Sequence, residues 1–212
     1  MSNTRSRRRR WPWILGGALL LVLVPVGVLA LPILTHDDRG MSNQQPTVEQ
    51  WPTTVSAVGD DGREREVSVE AGDASALDTS ALSAGQRLIV RGSGFDAAQG
   101  IYVAICVIPD DPAVKPGPCI GGVPDQKQEN VEAGTIQYAP SNWINDDWAW
   151  RLFGARGYDD VAAGSFTAYL EVGEPAGDGF DCRVDACGLY TRNDHTALRD
   201  RVQDLHIPVA FD

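Results

Sequence analysis

Leu82-Ser83-Ala84-Gly85-Gln86-Arg87-Leu88-Ile89-Val90-Arg91-Gly92-Ser93-Gly94-Phe95 is the stretch on which the fold turns. Gln86 to Arg91 alternates, with Leu88 and Val90 on one face, which is the period of a half-buried strand. Gly85 stands before the run, and Gly92 and Gly94 follow it as turn residues. The same grammar repeats outward along the chain. Thr53 to Val58 and Glu64 to Glu70 read as two strands around the turn Gly59-Asp60-Asp61-Gly62. Ile101 to Ile108 is richer in apolar residues, as a central strand is. Ser165 to Val172 and His206 to Phe211 alternate again. Helical amphipathicity is weak beyond the N-terminal segment, where Thr196 to Leu205 has room for one or two turns. Short strands at about ten-residue spacing indicate an all-β sandwich.

The first 34 residues have a different character. Arg5, Arg7, Arg8, Arg9 and Arg10 precede Trp11 to Leu34, a run of 24 uncharged and mostly apolar residues. As a helix that run measures about 36 Å, against a hydrocarbon core of about 30 Å. It is therefore expected to be a transmembrane signal anchor at 11–34. Residues 1–10 then form a cytoplasmic basic tail, and the rest of the chain lies outside the cell membrane. Trp11 and Trp13 fall where an interfacial aromatic belt belongs. The competing expectation is a cleaved signal peptide, with a break at Pro25 and a small-residue site at Val28-Leu29-Ala30, which would give a secreted protein. Residues 35–52 are polar and read as a linker, leaving 53–212 as the extracytoplasmic domain.

Net charge is −11, but beyond the basic tail the chain carries 13 Lys and Arg against 29 Asp and Glu. A surface of that sign repels phosphate backbones, so nucleic acid is an unfavourable partner. Cys106, Cys119, Cys182 and Cys187 all lie after the apolar run, which suits disulfides in an oxidising compartment. Four cysteines permit three connectivities; spacing favours Cys106–Cys119 and Cys182–Cys187. Zinc would want closer Cys pairs or nearby histidines, and the chain has only His36, His195 and His206. Phosphate-loop, nucleophile-elbow and His-Glu-x-x-His motifs are absent. Asp110-Asp111, Asp146-Asp147 and Asp159-Asp160 are adjacent acids whose side chains point apart. The expectation is a non-enzymatic protein with no catalytic residue, no metal site and no cofactor.

The order of motifs resembles the neocarzinostatin family of actinobacterial secreted proteins. The likeness is carried by Leu82 to Gln86, Leu88 to Val90, Gly92 to Phe95, the apolar strand ending in Cys106, Gly164-Ser165-Phe166, Asp181-Cys182-Arg183-Val184-Asp185-Ala186-Cys187, and the closing Ile207 to Phe211. It covers about Leu77 to Phe211. The resemblance implies a seven-stranded, immunoglobulin-like Greek-key sandwich with a side cleft, the longer disulfide along the cleft floor. In the chromoprotein members that cleft holds an apolar ligand. This chain departs from those members, with Val107 and Ile108 where they place a tryptophan and Gly188 where they place a polar side chain.

An insertion at about 120–160 interrupts the likeness. Tyr138, Trp143, Trp148, Trp150 and Phe153 crowd into 16 residues, while Trp51 is the only other tryptophan beyond the apolar run. Aromatic rings bury large areas at low entropic cost, so these five are the candidate binding residues. They equally suit extra core over an open end of the sandwich. Two functions follow as expectations. The first is an accessory module recognising an envelope protein or complex through the insertion. The alternative is a carrier or immunity-type protein with a small apolar ligand in the cleft.

Overall fold

The computed structural model describes residues 11–121 and 136–212, side chains at 11, 12, 28, 29 and 32 excepted. The basic tail and residues 122–135 of the insertion lie outside the described residues. The chain divides into two units, Met1–Asp37 and Asp38–Asp212. In the first, helix α1 spans Trp11–Leu34, 24 residues without a charged side chain in its first or last turn. Among the described residues no helix is long and apolar enough to cross a membrane, so the transmembrane anchor expected at 11–34 rests on the sequence alone.

The second unit is built of strands. They are β1 (Thr54–Val58), β2 (Glu64–Ala71), β3 (Arg87–Ser93), β4 (Ile101–Val107), β5 (Ser141–Ile144), β6 (Phe166–Glu171), β7 (Ala176–Gly177), β8 (Phe180–Asp181), β9 (Cys187–Asn193) and β10 (Leu205–Val209), with a one-turn helix α2 (Trp148–Arg151). Two antiparallel four-stranded sheets form, ordered β1-β2-β3-β6 and β10-β9-β4-β5, beside a two-stranded β7-β8 ribbon. Alternation puts Val67, Leu88, Val90, Phe166, Ala168 and Leu170 on the inner face of the first sheet. Ile101, Val103, Ile105, Leu189, Leu205 and Ile207 answer them from the second, all at 1 % exposure or less. Strand β4 is flanked on both sides by β9 and β5 and is buried on both faces. Its outward Ala104 and Cys106 pack with Tyr190, Ile108 and Cys119.

Both disulfides are present, Cys106–Cys119 and Cys182–Cys187. Each closes a short loop and contributes about 2–4 kcal/mol by restricting the unfolded chain.

Three features differ from the sequence reading. The insertion is woven into the sandwich, because its Ser141–Ile144 pairs with Ile101–Ala104 as edge strand β5. Ile144 is fully buried, and that burial draws the segment in. The polar stretch expected as linker is docked from Arg39 onward. Arg39 pairs with Asp96, Met41 bridges Arg201, and the Gln44 amide donates to the His206 carbonyl and accepts from the His206 N–H, both at 2.7 Å. Thr196 to Asp204 forms consecutive turns and bridges with no helix, held by buried polar groups such as Asn193, Asp200 and Gln203.

Candidate functional site: the aromatic insertion

β5 is fixed at both edges by hydrogen bonds its own sequence supplies. The Asn142 amide donates to the Tyr169 carbonyl at 2.8 Å, so one side chain ties the second sheet to β6 of the first. On the far side the chain returns to pair again, Arg156 N–H donating to Trp143 O at 2.8 Å and Asn145 N–H to Arg156 O at 2.7 Å. Residues 146–155 are thereby held as a short arch with both feet on β5.

The inner half of the arch is anchored on Asp194, a fully buried carboxylate. Trp143 Nε1–H donates to its Oδ2 at 2.8 Å and the Asn145 amide at 2.9 Å, while Thr196 supplies its N–H and hydroxyl to Oδ1. A buried charge is tolerable with that many donors. Trp143 is 8 % exposed and packs against Tyr102, His195 and Trp150 with ring centroids 6.0, 5.3 and 5.8 Å away. The Tyr102 hydroxyl lies 3.0 Å from His195 Nδ1; burial, with the Asp194 charge second, pushes its pKa up to about 12.

The outer half is set by the cap of α2. Asn145 Oδ1 accepts from Asp147 N–H, and Asp147 Oδ1 accepts from Ala149 N–H at 2.8 Å, a carboxylate at the N-cap position. Ala149 turns inward at 3 % exposure, and the same turn throws Trp148, Leu152 and Phe153 outward at 70 %, 75 % and 50 %. Trp150 bridges the halves, 4.8 Å from the His195 ring and 6.3 Å from Phe153.

The five rings read from the sequence therefore do not form one surface. Trp143 belongs to the core, Trp150 is a half-buried wedge, and Trp148 and Phe153 face solvent. Tyr138 stands elsewhere, edge-on to Tyr169 at 5.6 Å with the Arg87 guanidinium 5.0 Å over its ring. Leu152, His195 and Asp194 escaped the sequence reading. A lone leucine or histidine gives no periodic signal, and the role of Asp194 depends on strands 49 residues apart. The adjacent acids act locally. Asp111, Asp147 and Asp160 accept backbone N–H groups of their own turns, and Asp159 accepts the Thr167 hydroxyl. Among the described residues no group of three or more His, Cys, Asp or Glu is placed to hold a metal ion.

A concavity of about 320 Å³ lies on the outer face of β9 and β10. Ile108, Pro112, Val114, Tyr190 and His206 give it apolar walls, and Met41 to Gln45 close one side. Neither Cys106 nor Cys119 lines it. His206 is stacked on Tyr190 at 4.8 Å, and burial lowers its pKa to about 4, so the ring is neutral at pH 7. Asp204, also in the wall, is pushed up to about 7 by burial although Arg201 Nη1 donates to its Oδ2 at 2.8 Å and the Asn193 backbone also favours the charged form.

No protein-family model matches this chain, and no curated protein does. Among solved structures it is similar to macromomycin, at 18 % identity over 69 % of this chain and 99 % of that one, with a TM-score of 0.37. A likeness at that level leaves function to be read from the residues themselves.

Proposed function

We propose that this chain is a non-enzymatic module of the cell envelope, tethered by its N-terminal segment, that recognises an envelope protein or complex through the outer half of the aromatic insertion. The observation that carries the reading is the knob of Trp148, Leu152 and Phe153, half to three-quarters exposed on one capped turn and backed by the packed rings of Trp150, Trp143 and His195. Scattered apolar residues are ordinary on a surface, but three within six residues on a rigid mount make a pre-organised anchor. The tether is supported by five arginines ahead of 24 uncharged residues, and an oxidising location by two disulfides.

The test is a photo-crosslinking residue placed at position 148 of the full chain in intact cells, with the same residue at Val184 as an exposed control. Capture of a defined neighbour from position 148 and not from 184 supports the reading. Equal or absent capture from both sites contradicts it. Sequencing the N-terminus of the mature protein decides the tether, since a start at Leu31 would mean a released protein.

The cavity favours a second reading, a small ligand with an apolar body. Its walls are largely hydrophobic, and its volume lies at the lower end of ligand sites, about 300–1,000 Å³. Specific uptake of apolar dyes by the full chain, lost on Ile108→Asp, would move the assignment there.

A further inference from the structure

Among the described residues, two open sheets leave four edge strands, β1, β6, β10 and β5. Exposed edges invite pairing with another chain, and proteins usually block them. Three of the four are blocked here by distinct devices. On β6, Ala139 pairs in parallel, accepting from Glu171 N–H and donating to Tyr169 O, and Asn142 adds its amide. On β5, Arg156 takes the same role. On β10, the Gln44 side chain occupies both backbone groups of His206, and Pro208 has no N–H to offer.

β1 is different. Hydrogen bonds from Val69 N–H to Thr53 O and from Gly59 N–H to Arg63 O set its phase, so the odd-numbered residues face β2. The backbone groups of Thr54, Ser56 and Val58 then point away from the sheet. Asn43 reaches the Val58 carbonyl at 3.3 Å. Among the described residues nothing hydrogen-bonds the outward groups of Thr54 and Ser56. The strand, Thr-Val-Ser-Ala-Val, carries no charge, proline or glycine, in a chain of net charge −11.

We infer that β1 is a docking edge for a second copy of this chain, paired antiparallel about a two-fold axis at Ser56. The strand meets the symmetry without a clash of charge, and its backbone pairing centres on Ser56 because the Val58 carbonyl is already taken by Asn43. Ser56 faces its own counterpart in a hydrogen-bonded pair, and Thr54 faces Val58 of the other copy. No charge meets itself along the seam, whereas almost any charged strand would place like charges opposite each other. One five-residue seam buries far less than the roughly 1,200 Å² of a stable interface, so the dimer is weak and depends on local concentration.

The test uses the full chain reconstituted in lipid vesicles at increasing density. All four native cysteines are in disulfides, so Ser56→Cys adds a single free thiol. A hydrogen-bonded antiparallel pair brings Cα atoms to about 5.5 Å, within reach of a disulfide. Under mild oxidation, S56C is expected to give a covalent dimer as the dominant product at high density, with S75C, an exposed loop position, remaining monomeric. Ser56→Pro removes only an outward N–H, so it should leave folding intact and abolish the density-dependent dimer seen by native mass spectrometry. S56C no more crosslinked than S75C, a dimer that survives Ser56→Pro, or crosslinking of S56C in cells to a protein of different mass would each overturn the inference.

Discussion

Trp143 and Trp148 are five residues apart in one aromatic-rich segment, yet their surroundings are opposite. Trp143 sits on a strand whose two edges are both hydrogen-bonded, and its indole N–H ends on a fully buried carboxylate. Trp148 begins a one-turn helix and is 70 % exposed, with Ala149 taking the inward position beside it. The contrast teaches that residue type did not decide the fate of these rings. Pairing did: β5 needed an edge and Asp194 needed donors, so the first tryptophan became core and the second was left for something outside the molecule.

The largest effect expected from that comparison is on stability. Trp143→Ala removes a packed ring and a donor to a buried charge, and should cost about 3–5 kcal/mol in denaturant unfolding. Asp194→Ala should also destabilise, because it orphans the donors of both Trp143 and Asn145. A Trp143→Ala protein as stable as the parent would show that the inner half is not core.

pH offers the next contrast, between the cavity wall and the aromatic surface. Asp204 is raised to about 7 in the folded protein, above its unfolded value near 3.8, so the folded state holds the proton more tightly and stability falls as pH rises from about 4 to 7. His206 is lowered to about 4 from 6.5, so its contribution falls as pH drops through that window. The two slopes oppose one another. Asp204→Asn should therefore expose the His206 limb, its stability relative to the parent climbing between pH 4 and 7. His206→Gln should do the reverse. Trp148→Ala should leave the profile unchanged in shape, and unfolding curves across pH measure all three.

The alternation around Leu88 and Val90, the apolar density of β4 and the cysteine spacing made the sandwich legible, because each is a local pattern that burial enforces directly. The candidate site was legible only as a density of rings. Which rings face inward depends on Ile144 drawing β5 to the edge of β4, and on Asp194 arriving from the far end of β9; no window of sequence contains both. The docking of Arg39 to Gln44 was invisible for the same reason. A glutamine that satisfies two backbone groups of His206 looks, in sequence, like any polar residue in a loop.

The smallest stability effect belongs to the outer half, and the proposed function rests on it. Trp148→Ala and Phe153→Ala should each shift unfolding by no more than about 0.5 kcal/mol, as exposed substitutions do. If the knob anchors a partner, each should weaken binding by about 2 kcal/mol, roughly thirtyfold.

The direct measurement is a side-by-side one: crosslink intact cells carrying the parent, Trp148→Ala, Phe153→Ala or Trp143→Ala, recover the protein with its neighbours, and record the melting temperature of each purified chain. The predicted result is loss of the neighbour at an unchanged melting temperature for Trp148→Ala and Phe153→Ala, and early melting for Trp143→Ala. Neighbours retained in full by both surface variants, or early melting in them, would contradict the assignment of the outer half as the binding surface.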